Sequence, residues 1–268
     1  MLGTELQRTE RAARVSASLM VAPIIAQPAL VVAMMSWARH ESILLHPAEA
    51  ALNPPTVSRA IADPVIGDVF ANWMLAGFAL LLFCLWRIGV ASYRPALSPG
   101  MKALWGTFLF SETVAAFGMV VLSQYTGSIS DFWHTVGSYM LFFGHGIGIS
   151  LWGVFVRFDR KNEVAPPLPY YPRLHPRLAL VVASGALTFA TVYYGWDSFK
   201  ALDDLGTRTV FTTVEFALIV SFEIYLASFV VPLFHVERHR LRVRASLDRI
   251  EPLRRGDFAA RAGDGRRA

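Results

Sequence analysis

Six stretches of about twenty apolar residues, parted by short polar or proline-bearing segments, constrain this chain more than anything else in it. A bilayer's hydrocarbon core is about 30 Å thick, and a helix needs roughly 20 apolar residues to cross it. The stretches cover about 15–37, 70–90, 103–125, 132–158, 178–196 and 209–234 of the 268 residues. Lipid offers no partner to an exposed peptide group, so only helices and closed barrels span it. Barrel strands alternate apolar and polar residues, and these stretches do not. The expected fold is therefore all-α: a polytopic membrane protein with six transmembrane helices. A content of 54% hydrophobic against 17% charged residues agrees with that class. The first stretch follows Arg8, Arg11 and Arg14 as a signal peptide would. It is too long for one and no small-residue cleavage site follows, so a retained helix is expected. The single cysteine, Cys84, lies in the second stretch. It reads as a small apolar packing residue and excludes any intrachain disulfide.

Basic residues alternate between the two sides. Arg8, Arg11 and Arg14 precede the first helix, and Arg87, Arg94 and Lys102 surround the second-to-third connection. Arg157, Arg160, Lys161, Arg173 and Arg177 fill the fourth-to-fifth connection, and Arg238, Arg240, Arg242 and Arg244 follow the sixth helix. The other three loops hold only Arg39, Arg59, Lys200 and Arg208. Cytoplasmic loops retain Lys and Arg, so the N and C termini are expected to be cytoplasmic. These orientation signals account for the net charge of +5, and no nucleic-acid partner is expected. The division is a transmembrane domain over 1–235 and a basic cytoplasmic tail over 236–268. The outer loop, 38–69, carries Asn53-Pro54-Pro55 and Asp63-Pro64 and reads as an ordered cap. Pro166-Pro167, Pro169, Pro172 and Pro176 make the fourth-to-fifth connection stiff and extended, with Tyr170-Tyr171 at headgroup level. The tail reads as a topology anchor with a disordered end; the alternative continues the sixth helix along the inner surface.

Ionisable groups at membrane depth are costly and face a bundle interior or a cavity. The third helix carries Ser111 and Glu112, the fourth His134 and His145, and the sixth Glu215 and Glu223. Glu112 and His145 lie about equally far from the short turn near Ser128, which places both near the midplane of an antiparallel hairpin. Counting down the sixth helix brings Glu223 to a comparable level. Glu112, His145 and Glu223 thus form a candidate midplane polar cluster, either a proton relay or interhelical bonding that holds the bundle. Gly137, Gly144 and Gly148 form a small-residue stripe on the fourth helix, a sign of close helix packing. His134 and His145 lack a second axial ligand at membrane depth, which argues against haem. Neither a clustered His/Cys pattern nor a nucleotide or nucleophile motif appears, so no metal and no cofactor are expected.

The stretch Ser123-Gln124-Tyr125, Asp131-Phe132-Trp133-His134, Gly137-Ser138 and Phe142-Phe143-Gly144 resembles the Frag/DRAM/Sfk family of six-helix membrane proteins. That family includes the DNA-damage-regulated autophagy modulators. The helix count, the inside termini and the sizeable first outer loop agree with it. In that loop only Ala62-Asp63-Pro64 and Gly67 are reminiscent of the family's Ile-Ser-x-x-Gly and Pro. The resemblance implies a role in membrane lipid organisation, anchor-lipid remodelling or organelle-membrane regulation. Gln124, Asp131, His134 and Ser138 form the candidate outer polar site, meeting lipid headgroups or a partner membrane protein. Asp131 has a competing role as a helix N-terminal cap. The leading reading is a non-enzymatic membrane protein that interacts with membrane lipids, located in a cell (inner) membrane. The alternatives are an intramembrane lipid-modifying enzyme and a proton-coupled transporter using buried Glu and His.

Overall fold

The computed structural model describes residues 2–159, 173–196 and 205–264. Among them the chain is helical and without strands, in the order α1 (Leu2–Leu45), α2 (Pro47–Leu52), α3 (Val57–Ala60), α4 (Pro64–Ser92), α5 (Pro99–Gln124), α6 (Asp131–Asp159), α7 (Leu174–Trp196), α8 (Leu205–Ala227) and α9 (Val230–Asp264). Six helical stretches, in α1, α4, α5, α6, α7 and α8 continuing into α9, are long and apolar enough to cross a membrane. Their outward faces carry large apolar side chains, among them Leu19, Trp86, Phe110, Leu180 and Val231. A soluble protein rarely leaves so much apolar surface uncovered. This is the make-up of a multi-pass membrane protein.

The helices reach further than the apolar stretches that mark their middles. Two prolines start helices, one of them Pro64, which the sequence presents as a breaker. Pro64 and Pro99 hold first-turn positions, where the missing N–H costs nothing. The Asp63 carboxylate accepts from the Val65 and Ile66 amides at 2.9 and 3.4 Å, and the Ser98 hydroxyl from Met101 at 3.4 Å. α1 in turn stays helical to Leu45, so the non-spanning part of the 38–69 segment narrows to 46–63. There α2 and α3 fold over one end of the bundle, hereafter the cap end.

The opposite end is basic. α1 is 44 residues long, about 66 Å at 1.5 Å per residue, or twice the hydrocarbon thickness. Its first half runs beside α9, where Glu10 pairs with Arg238 at 3.4 Å and with Arg242. Arg87 pairs with Glu237 at 2.6 Å, Arg94 pairs with Asp159, and Arg240 donates to the Val90 carbonyl at 3.3 Å. These contacts give the tail a partner, and it is helical through Asp264 where a disordered end was expected. The proline-rich 166–172 segment, with Tyr170-Tyr171, lies outside the described residues.

α5 and α6 form the tightest pair in the bundle. A Cβ on Gly137 would sit 2.6 Å from the Leu122 amide nitrogen, and one on Gly118 would sit 2.5 Å from that of Leu141. Backbone thus touches backbone, and the hairpin enters the core as a unit. Around it Phe108, Trp152, Phe155 and Phe229 pack toward the basic end, and Met35, Ile61, Met74 and Leu141 toward the cap.

Candidate functional site

Glu112 sits about 20 Å along the axis from the start of α5 and about 18 Å from its end. His145 is the central residue of α6, and the seam brings the two face to face. The imidazole Nδ1–H donates to Glu112 Oε2 at 2.8 Å, with both side chains nearly inaccessible. Gly148 makes room for this carboxylate: a Cβ there would lie 2.5 Å from Glu112 Oε1. The His145 ring packs on Phe222, centroid to centroid 4.8 Å. Glu223, one residue on, joins Glu112 and His145 around a small cavity of about 10 Å³. The three midplane residues therefore share one chamber.

Two further side chains enter it that carry no charge to advertise them. Gln27 of α1 and Tyr225 of α8 line the same cavity, at 0% and 3% exposure. Neither the Gln27 Oε1 nor its Nε2 has a hydrogen-bond partner, nor do Tyr225 Oη and Glu112 Oε1. Four unpartnered polar atoms around one water-sized void are unusual, since buried polar atoms are nearly always paired.

A second buried histidine, His175, is one that the sequence does not single out. α7 begins at Leu174, ahead of Pro176, and draws His175 fully inside. The Trp152 indole donates to His175 Nδ1 at 3.3 Å, which leaves the ring's proton on Nε2, 3.0 Å from Ser228 Oγ. A histidine with both nitrogens so engaged is a structural tie between α6, α7 and the α8–α9 junction. Among the described residues, no three His, Cys, Asp or Glu side chains gather to hold a metal ion.

The four residues of the outer polar site are not gathered at one point. Gln124 Nε2 donates to the Ala71 carbonyl at 3.3 Å, fastening α5 to α4. Asp131 occupies the first turn of α6, but the Ser130 hydroxyl accepts from the Trp133 amide at 3.4 Å and is the cap. His134 Nδ1–H donates to the Tyr125 carbonyl at 3.2 Å, and Ser138 Oγ to the His134 carbonyl at 2.9 Å. His134 and Ser138 alone face a larger feature.

That feature is a cleft of about 390 Å³ between α6, α7 and α8. Phe142 and Phe189, 4.7 Å apart at their centroids, form its inner wall, and Gly146 and Ala186 meet across its floor. Tyr139, Phe143, Ile147 and Leu187 rim it and are exposed on the bundle's flank, so it opens sideways. Toward the cap it turns polar, with Thr56, Ser58, His134, Thr135, Ser138 and Glu215. Glu215 is anchored there because α3 dips into the bundle: its Oε2 accepts from the Val57 amide at 3.2 Å. The Thr212 hydroxyl donates to the Pro54 carbonyl at 3.2 Å, and Arg39 donates to that of Pro55 at 3.1 Å with its guanidinium over Phe216. Within the cap, His46 Nε2 meets the Asp63 carboxylate at 3.1 Å, a contact that, with its helix-capping bonds, holds the Asp63 carboxyl below its ordinary value.

No family model, curated protein or solved structure matches this chain.

Proposed function

We propose that this is a lipid-binding membrane protein that takes an acyl chain from the bilayer into the cleft between α6, α7 and α8. The observation that carries this reading is the cleft's two-part chemistry. Its body is lined by Phe142, Phe143, Ile147, Leu187, Phe189 and Leu218, and its cap end by hydroxyls, an imidazole and a carboxylate. A concave apolar site with a few convergent polar groups suits an amphipathic ligand. The sideways mouth supports entry from lipid rather than from water, with the headgroup resting against Ser58, His134 and Glu215. The Ser58 hydroxyl donates to the Glu215 carboxylate at the cleft's polar end, but that carboxylate is also held by the Val57 amide, and the apolar body of the cleft favours binding or regulation over catalysis.

The orientation follows the charge distribution. The basic end, with Arg87, Arg94, Arg238, Arg240 and Arg242, faces the cytoplasm, and both termini lie inside. The cleft's polar end then meets the outer leaflet of a cell membrane. The likeness of residues 123–144 to the Frag/DRAM/Sfk family points toward lipid organisation by an independent route.

Photo-crosslinking in membranes tests the reading. A fatty acid bearing a diazirine near its tail is expected to label peptides of α6, α7 and α8, with Phe143, Ile147 and Leu187 foremost. Labelling spread evenly over all lipid-facing helices would refute it.

A further inference from the structure

The chamber around Glu112 and His145 is separate from the cleft, with Phe142 and Phe222 between them at 6.4 Å. Its lining is drawn from every helix that meets at the centre. Gln27 comes from α1, Leu81, Leu85 and Ile88 from α4, Glu112 from α5, His145 from α6, and Glu223 and Tyr225 from α8. Cys84 of α4 is close enough to Glu223 to feel its charge, and no Lys or Arg lines the void. Its ionisable groups are therefore two carboxylates and one imidazole, beside a phenol and a thiol.

Two physical arguments say what belongs there. A void of about 10 Å³ is near the minimum for a single water, which needs two to four polar partners. The unpartnered atoms supply that set: Gln27 Nε2 donates, Gln27 Oε1 and Glu112 Oε1 accept, and Tyr225 Oη does either. A mixed set of donors and acceptors suits water, whereas a bare cation would meet the amide N–H groups at their positive ends. Charge is the second argument. Glu112 and His145 are paired with one another, which leaves the Glu223 carboxylate with the Gln27 amide beside it and no cation of its own lining the chamber. An isolated charge in so dry a site is removed by taking up a proton.

We propose that the chamber is a proton-binding site, holding one internal water and one exchangeable proton on Glu223. The proton comes from bulk water and returns to it, and no covalent bond other than its O–H forms or breaks. With the proton bound, α8 and α1 close on the α5–α6 hairpin around a neutral core. With it lost, two carboxylates face one imidazolium, and the four helices are held less tightly. The proton is thus a ligand whose binding is linked to bundle packing, independent of whether the cleft holds lipid.

Infrared titration of the purified full chain in lipid vesicles, in H₂O and in D₂O, tests this. The expected spectrum has the C=O stretch of a protonated carboxyl at neutral pH, lost as the medium is made alkaline. The band is expected to be absent from Glu223→Gln and retained in Glu215→Gln, and to shift in Tyr225→Phe, where the water loses a partner. Two results would overturn the proposal. One is a folded wild type with no protonated-carboxyl band at any pH. The other is a band that survives Glu223→Gln and disappears in Glu112→Gln or Glu215→Gln. Should Glu223→Gln fail to fold, the wild-type titration still tests the proposal, and Glu223→Asp, which keeps the carboxyl, is expected to keep a shifted band.

Discussion

Removing either half of the Glu112–His145 pair should cost far more than removing both would suggest. The bond is 2.8 Å long, near the middle of α5 and α6, and its two side chains are 6% and 9% exposed. In soluble proteins, stranding one partner of a buried ion pair costs about 3–5 kcal/mol. Within membranes the measured coupling between helices is smaller, about 0.6 kcal/mol on average and about 1.7 at most, because separated helices in lipid still find partners. This pair belongs at the upper end of that range, since its bond is short and buried, while Gln27, Glu223 and Tyr225 around the same cavity keep it from exceeding that range. Glu112→Leu and His145→Leu are each expected to cost about 2–3 kcal/mol. With each single cost near the middle of that range and the double variant costing about 3.5 kcal/mol, the coupling is about 1.5 kcal/mol. Steric trapping in bicelles measures these unfolding free energies directly. Two single effects that add to within about 0.5 kcal/mol would refute the reasoning, because the contact would then carry no energy of its own.

Two glycines on one face of α6 should behave differently. Gly137→Ala drives a methyl group into the backbone of α5, which cannot yield, and should lower stability by about 1–3 kcal/mol. Gly148→Ala meets only the Glu112 carboxylate; in the same assay it should lengthen the bond to His145 and reproduce the Glu112 defect, so that combining it with Glu112→Leu adds little. At the cap, the lowered Asp63 carboxyl contributes stability at neutral pH that is lost as pH falls below about 4, where the unfolded chain takes up the proton first. Thermal unfolding followed between neutral and acid pH should show this loss in the wild type and less of it in Asp63→Asn, which keeps the cap but not the charge. An equal acid response in both would count against the His46–Asp63 contact.

The spans were legible because hydropathy alone marks them, and hairpin symmetry was enough to put Glu112 and His145 at one depth. What counting residues left open was the facing of helices, which the Gly118, Gly137 and Gly148 contacts settle by backbone approach. Gln27 and Tyr225 are inconspicuous because an uncharged polar residue in a long apolar helix looks like a tolerated exception; only convergence from α1 and α8 gives them meaning. His175 is hidden by Pro176, which reads as part of an irregular connection although proline is at home in a helix's first turn. Pro64 makes the cap look longer than it is for the same reason. Glu215 is visible as a buried carboxylate, but its link to Val57 joins residues 158 apart in sequence, and no local pattern reports a short helix dipping into a bundle. The outer polar residues part company for a related reason. Its residues are close along the chain, but the turn from α5 to α6 points Gln124 at α4 and His134 at the cleft.

The cleft's claim on lipid is tested most directly by what the protein retains on purification. Native mass spectrometry of the full chain released from mild detergent is expected to show a bound lipid on the wild type. Ala186→Phe, which places a ring over the cleft floor beside Gly146, is expected to fold with unchanged thermal stability and to lose that lipid. Equal lipid retention by both proteins, or none by the wild type, would contradict the account.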